Sequence, residues 1–278
     1  MMLMVLTVFA LVAAACGDDA TEAGSGEDAA ATCDPLPTKT DGTLTVATGE
    51  PVFPPWMMDD DPSNGEGFES AVVYALAGEL GIDNVEWVRT SFEEAITAGA
   101  KDYDFNIQQY SITTEREEVV DFSDGYYQVE QAIIGASDSP AASAGSLSDL
   151  AGLRLGAASG TTSLTYVDDT IQPDDKAAVY DDNAGAKAAF DAGQVDALVI
   201  DLPTAYYITA VEIPDASIIG VLPRSGDEPE ELGMLFEEGS SLVACVNEGL
   251  AQLGANGTIE ALEDTWLNDG GAIPTIAE

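Results

Sequence analysis

The sequence predicts an α/β protein made of two successive strand–helix units, and three observations carry that expectation. From residue 43 onward, short β-branched runs alternate with segments of helical spacing, the pattern of a mostly parallel sheet with helices on both faces. The alternation pauses once, at the Ser/Ala/Gly-rich end of "QVEQAIIGASDSPAASAGS", and then begins again. With 278 residues and 46% hydrophobic content, the chain is long enough for two medium units with real cores.

The first segment, "MMLMVLTVFALVAAAC", is apolar up to Cys16 and too short for a confident membrane span. It suits a signal-peptide core over residues 1–16. "AAAC" resembles a bacterial lipobox, which implies a lipid anchor on Cys16. Ala13 stands where Leu is usual, and no basic residue precedes the apolar run, which places the true translation start upstream of Met1. Residues 17–40, beginning "GDDATEAGSGEDAAAT", are small, polar and acidic, and read as a flexible tether and lead-in. In an exported setting, Cys33 and Cys245 form an even pair expected to make a disulfide between the lead-in and a late helix.

The folded body then reads in order. "TLTVAT" is a strand, and "FESAVVYALAGELG" has helical spacing with a stop at Gly81. "VEWVR" is a strand, "FEEAITAGA" a helix and "YDFNIQQY" a strand. In the second unit "LRLGAAS", "AAVYD" and "VDALVID" are strands, separated by the helices "TTSLTYVDDTI" and "AGAKAAFDAG". "PTAYYITAV" is helical, "LGMLFEE" is a strand, and "SSLVACVNEGLAQLGANG" and "TIEALEDTWLND" are two closing helices that return to the first unit. "WMMDDDPSNGEG" is acidic but fails the spacing of a calcium loop and reads as a polar turn; no metal is expected.

Charge excludes several functions. Eight Lys+Arg against 51 Asp+Glu give 8 − 51 = −43, with no histidine. Nucleic-acid binding and docking on anionic lipid need clustered basic residues that this chain lacks. The acidity fits a salt-adapted surface or a taste for cationic ligands.

In open α/β sheets ligands bind where strands deliver their carboxyl ends to loops. Those ends hold Glu50, Phe53 and Trp56 after the first strand, and Gln109, Ser111 and Arg116 after the third. Thr161 and Thr162 in "SGTTS" open a helix, and Asp201 closes "VDALVID". A guanidinium can grip a carboxylate through two parallel hydrogen bonds. Arg116 follows Thr113 and Thr114, and Thr114 with Glu117 fits a capping box. Free N–H groups and hydroxyls at "GTTS" favour an anion, Asp201 can accept from an ammonium, and Phe53 and Trp56 can wall a cleft. A carboxylate grip opposite an ammonium acceptor describes an α-amino acid.

"GFESAVVYALAGELG", "SITTEREEVVDFSDGYY", "LAGLRLGAASGTTS", "VDALVIDLPTAYY" and "GTIEALEDTWL" together resemble bacterial extracellular solute-binding proteins of family 3, over about residues 43–268. The resemblance extends to lipid-anchored actinobacterial members of that family. The resemblance implies a two-lobed type II periplasmic-binding-protein fold, with lobe 1 at 41–129 and 230–278 and lobe 2 at 130–229. Two crossover hinge strands are expected near 127–131 and 222–232. It implies a monomeric, extracytoplasmic capture subunit of an ABC importer that hands an amino acid to a membrane permease, without cofactor or catalysis. It also implies roles: Arg116 for the ligand carboxylate assisted by Thr161, Asp201 for its ammonium, Phe53 packing on it, and Ser111 hydrogen bonding. Glu50 and Glu69 fall where relatives that bind basic amino acids place acids, so a basic ligand is favoured. Gln108 and Gln109 replace small serines and leave glutamine next. Alternatives are a compatible solute such as ectoine, or a dehydratase of amino-acid-like cyclic acids with Glu50 or Glu69 as its acid or base.

Overall fold

The structure, a computed structural model, describes residues 33–267 and 273–278. The expected signal peptide, Cys16 and most of the tether lie outside the described residues.

The first unit forms as expected at its core. Strand β1 (Thr43–Thr48) is buried along its whole length, as a strand covered on both faces must be. It pairs in parallel with β2 (Asn84–Arg89) and β3 (Phe105–Asn106). Helix α1 (Phe68–Glu79) joins β1 to β2. Helix α2 is shorter than expected: Ser91 caps it, but only Phe92–Ala95 is helical. A single helical turn, α3 (Thr114–Glu117), carries Arg116. Its cap is Thr113, whose side chain accepts from the Arg116 N–H at 3.3 Å; the expected box of Thr114 with Glu117 does not form, because the cap lies one residue earlier and places Arg116, which has no acceptor, at the reciprocal position. Strand β4 (Asp121–Phe122) closes one edge of this sheet.

The chain then crosses through β5 (Tyr127–Val129) into β6 (Gln131–Ala136), a six-residue strand buried up to its last residue. The sequence reading took this region as a boundary. A short apolar run beside a Ser/Ala-rich loop carries no periodicity to mark it as a strand. Helix α4 (Leu147–Leu150) has a true capping box from Ser146 and Asp149. Then come β7 (Leu155–Ala158), α5 (Thr162–Tyr166), β8 (Ala178–Tyr180), α6 (Asn183–Asp191), β9 (Ala197–Asp201) and α7 (Leu202–Tyr207). Helices α5 and α7 each run on into a π turn, at Val167–Ile171 and Ile208–Glu212. Strand β10 (Ala216–Val221), also unexpected, lies antiparallel on β6 at the sheet edge.

The chain returns through β11 (Glu230–Leu232) to β12 (Leu235–Phe236), α8 (Leu242–Ala255) and α9 (Thr258–Trp266). Two five-stranded sheets result, in the orders β2-β1-β3-β12-β4 and β10-β6-β9-β7-β8. Each is parallel in the part built by strand–helix–strand units and antiparallel where the crossing chain adds strands. The crossovers β5 and β11 pair with each other as a separate antiparallel ribbon, Tyr127 facing Leu232 and Val129 facing Glu230, inside the expected ranges.

Helices α1 and α8 pack closely on the first sheet. A Cβ on Gly249 would come within 2.5 Å of the Leu76 Cδ1, so α8 needs glycine there. The final segment corrects one expectation. Residues 273–278 do not stay with the first sheet: Thr275 bridges to Val221, and Ile276 enters the core of the second.

Cys33 and Cys245 are bonded, with Cα atoms 5.6 Å apart. The link spans 212 residues, so it removes much freedom from the unfolded chain. Replacing both cysteines by alanine should lower unfolding stability by about 2–4 kcal/mol, read as an earlier denaturant midpoint. An unchanged midpoint would mean the lead-in contributes nothing to the body.

Candidate functional site

The facing edges of the two sheets enclose one pocket that gathers most of the expected residues. Phe53, Gln108, Gln109, Ser111 and Arg116 line it from the first sheet, and Thr161, Thr162 and Asp201 from the second. Phe92, Ser159, Asp181, Asp182 and Asn183 add to its wall, together with Ala158, Ser163 and Ile200. Ser159 opens the expected "SGTTS" loop after β7, while Phe92 and Asp181–Asn183 follow the ends of β2 and β8, which the strand-end expectation did not include. Applying the strand-end rule to every parallel strand would have found them.

Arg116 is the centre of the site. It is 8% exposed, in a protein with only eight basic residues. Its Nη1 donates to the Ser111 carbonyl at 2.6 Å and its Nη2 to the Gly160 carbonyl at 2.9 Å, so the guanidinium reaches from one sheet's loops to the other's. The Phe92 ring lies 5.5 Å beneath it, itself stacked on Tyr110. Burial pulls the guanidinium below its usual pKa, against the charges of Tyr110, Glu230 and Asp201. Lys39, Arg89, Arg154 and Lys187 all pair with carboxylates. No carboxylate among the described residues pairs with Arg116.

Asp201 ends β9 opposite Gln131, whose Nε2 donates to its Oδ1 at 2.8 Å. Burial first, and then the charge of Glu230, push Asp201 up to about 7, while Gln131 and Arg116 pull it down. Thr161 caps α5: its hydroxyl accepts from the Leu164 N–H and donates to the Ala158 carbonyl. Ser111 Oγ lies 3.3 Å from Thr162 Oγ1 across the cleft.

Three expected ligand contacts are not in the lining. Glu50 is exposed, on the bend after β1 and away from the pocket. Trp56 is fully buried, edge-on to Tyr127, and its Nε1 donates to Thr204 Oγ1 at 2.8 Å, bolting the first unit to α7. Its tryptophan bulk goes to the core and its polar tip to a buried hydroxyl. Glu69 on α1 is also fully buried. It accepts from Tyr126 Oη at 2.5 Å, from the Gln109 N–H at 2.8 Å, and from Gln109 Nε2. Gln109 sits at φ +52°, a left-handed conformation that a side-chained residue rarely adopts, and Glu69 holds both of its ends there. Glu69 therefore shapes the pocket through Gln109. Gln108 accepts from Tyr110 Oη and lies over Gly49, where a Cβ would meet its Nε2 at 2.5 Å.

Two sheets facing across a cleft, joined by a pair of crossover strands, define a type II periplasmic amino-acid-binding fold. Residues 44–269 match the bacterial extracellular solute-binding proteins, family 3, and the chain belongs to that family. It is similar to the L-cystine-binding protein TcyJ of Escherichia coli (strain K12), 26% identical over 229 residues, covering 81% of this chain and 83% of that protein. It is also 26% identical to the L-arginine-binding protein of Pseudomonas aeruginosa over 238 residues, covering 79% of this chain and 86% of that one. Among solved structures, an ancestral arginine-binding protein bound to arginine is 31% identical with a TM-score of 0.70, covering 82% of this chain and 99% of that chain.

Burial pushes Glu69 up to about 7 against its three hydrogen bonds. A carboxyl raised in this way keeps its proton in the folded state at pH values where the unfolded chain has lost it. Stability therefore falls as pH rises from the ordinary carboxyl range to about 7, and levels off above. Replacing Glu69 by Gln should flatten that fall by up to roughly 3 kcal/mol in pH-dependent unfolding. Parallel curves for Glu69→Gln and the unmodified protein would contradict the assignment.

Proposed function

We propose that this chain is the substrate-capturing component of an ABC importer and that it closes its two sheets around one α-amino acid. The observation that carries this reading is the buried, carboxylate-free Arg116 facing the same pocket as the half-buried Asp201, whose carboxyl is pushed up by desolvation. A buried charge needs a partner, and a zwitterionic head group supplies one to each. The ligand carboxylate binds Arg116, and its ammonium binds Asp201. Ser111, Thr161 and Thr162 flank the head group, and Phe53 and Phe92 offer aromatic surface to the carbon chain.

The side-chain preference now rests on different residues. Glu50 and Glu69 do not line the pocket, but Asp181 and Asp182 do. Once Arg116 and Asp201 are matched by the head group, these two aspartates leave that end of the pocket acidic. Asp182 already accepts from the Gly185 N–H at 2.7 Å as the cap of α6, which makes Asp181 the freer acid. A basic side chain remains the favoured ligand, in keeping with the arginine-binding relative. Glutamine is the second reading, favoured by the amides of Gln108 and Gln109 in the lining.

Capture without catalysis is the better account of the pocket, since the two glutamates expected to serve a dehydratase lie exposed or enclosed away from it. Among the described residues no helix is long and apolar enough to cross a membrane. Lipidation at Cys16 would then hold the monomeric body at the outer face of the membrane, beside the permease.

Calorimetry with arginine and glutamine tests the reading. Arg116→Ala should cost roughly 2–5 kcal/mol with whichever ligand binds. Asp181→Asn should weaken arginine and spare glutamine. Arginine affinity unaltered in Arg116→Ala would refute the carboxylate grip.

A further inference from the structure

The two head-group readers are joined by hydrogen bonds that run through the crossover strands. Arg116 holds the Ser111 carbonyl, and Ser111 Oγ donates to Glu230 Oε1 at 2.5 Å. Gln131 Nε2 donates to Glu230 Oε2 at 3.2 Å and to Asp201 Oδ1 at 2.8 Å. The other end of that amide accepts from Ser163 Oγ on α5 at 2.6 Å. Glu230 opens β11 and Gln131 opens β6, so both bridging side chains sit where the chain passes between the sheets. Two carboxylates thus share one amide NH2 group beside the pocket.

We propose that Glu230 is a second carboxylate of the ammonium end, a hinge-borne positioning residue that holds Asp201 and Ser111 and raises the preference for ligands carrying a full ammonium. This rests on the amino-acid reading above and adds a residue that no strand-end argument reaches. The physical reason is charge balance. Arg116 contributes one positive charge against Asp201 and Glu230, and Glu69 on α1 adds to the negative field at Asp201. Tyr126 and Tyr127, at the entry to the first crossover, lie within electrostatic reach of Asp201, and the Tyr126 hydroxyl donates to Glu69. A ligand ammonium with three N–H donors offsets this excess, whereas a ligand without one leaves two like charges facing each other. Because Glu230 rides on β11, its bonds to Ser111 and Gln131 hold only when the crossovers and both sheets are in register. Recognition of the ammonium is thereby tied to the closed arrangement.

The test has a ligand-free arm and a ligand arm. Carbon-13 carboxyl NMR of the ligand-free protein follows Asp201, assigned by its loss in Asp201→Asn. Glu230→Gln keeps an acceptor for Ser111 and removes the charge, and it should lower the Asp201 midpoint by roughly one pH unit. Gln131→Met, which removes the amide that both carboxylates share, should raise the Asp201 midpoint. That measurement decides the pairing even if Glu230→Gln fails to fold. An Asp201 midpoint unmoved in Glu230→Gln, or unmoved in Gln131→Met, overturns the proposal.

The ligand arm compares L-arginine with its deaminated analogue, 5-guanidinopentanoic acid. Glu230→Gln should narrow the preference for arginine roughly tenfold, and Glu230→Asp should restore part of it. An unchanged preference removes the specificity role. If neither arginine nor glutamine binds the unmodified protein, the basic-or-glutamine reading fails, while the titration still decides the carboxylate pair.

Discussion

A guanidinium taken out of water has to be satisfied by something, and in this protein Arg116 is satisfied only in part. Two of its five N–H donors meet backbone carbonyls, one from each side of the cleft. Its ring contact with Phe92 adds a face but no acceptor. Burying an arginine in this way without a carboxylate is costly for a protein that gains nothing by it. The rest of the pocket is arranged around that cost. Loops from β2 and β3 supply the ring and the carbonyl, and the loop after β7 brings up Gly160. The fold thus holds one cation in the cleft between its sheets with no carboxylate beside it, which is why we propose that a ligand anion completes it.

The other buried charges follow the same logic at lower stakes. Glu69 is fully buried and Asp201 half-buried, and both are pushed up to about 7, yet their partners differ. Glu69 is enclosed by Tyr126 and Gln109, so its field acts indirectly, by fixing a residue in a left-handed conformation. Asp201 keeps a place in the pocket lining and is bonded to a side chain on the crossing strand. One carboxylate builds the wall and the other stands in the lining itself.

Much of this was legible in the chain. Alternating strands and helices predicted both units, and the strand-end rule placed Phe53, Ser111, Arg116, Thr161, Thr162 and Asp201 in one pocket. The even cysteine pair predicted its own bond. What stayed hidden has physical reasons. Strands β6 and β10 are short apolar runs with no period to separate strand from helix. Trp56 looked like a cleft aromatic because its loop is right, but its bulk is better satisfied in the core, and only the fold brings Thr204 to its nitrogen. Glu69 reads as a free acid until Tyr126 and Gln109 are seen around it. The chain's last six residues carry no pattern of their own, and their return to the second sheet is a tertiary choice.

The central claim is that Arg116 exists to receive a ligand's α-carboxylate. Titration calorimetry comparing arginine with agmatine, the same molecule without that carboxylate, tests it most directly. The account predicts that arginine binds and that agmatine loses at least a hundredfold, about 2.7 kcal/mol. Agmatine binding as tightly as arginine would contradict it, and would leave the buried guanidinium as a structural bridge between the two sheets.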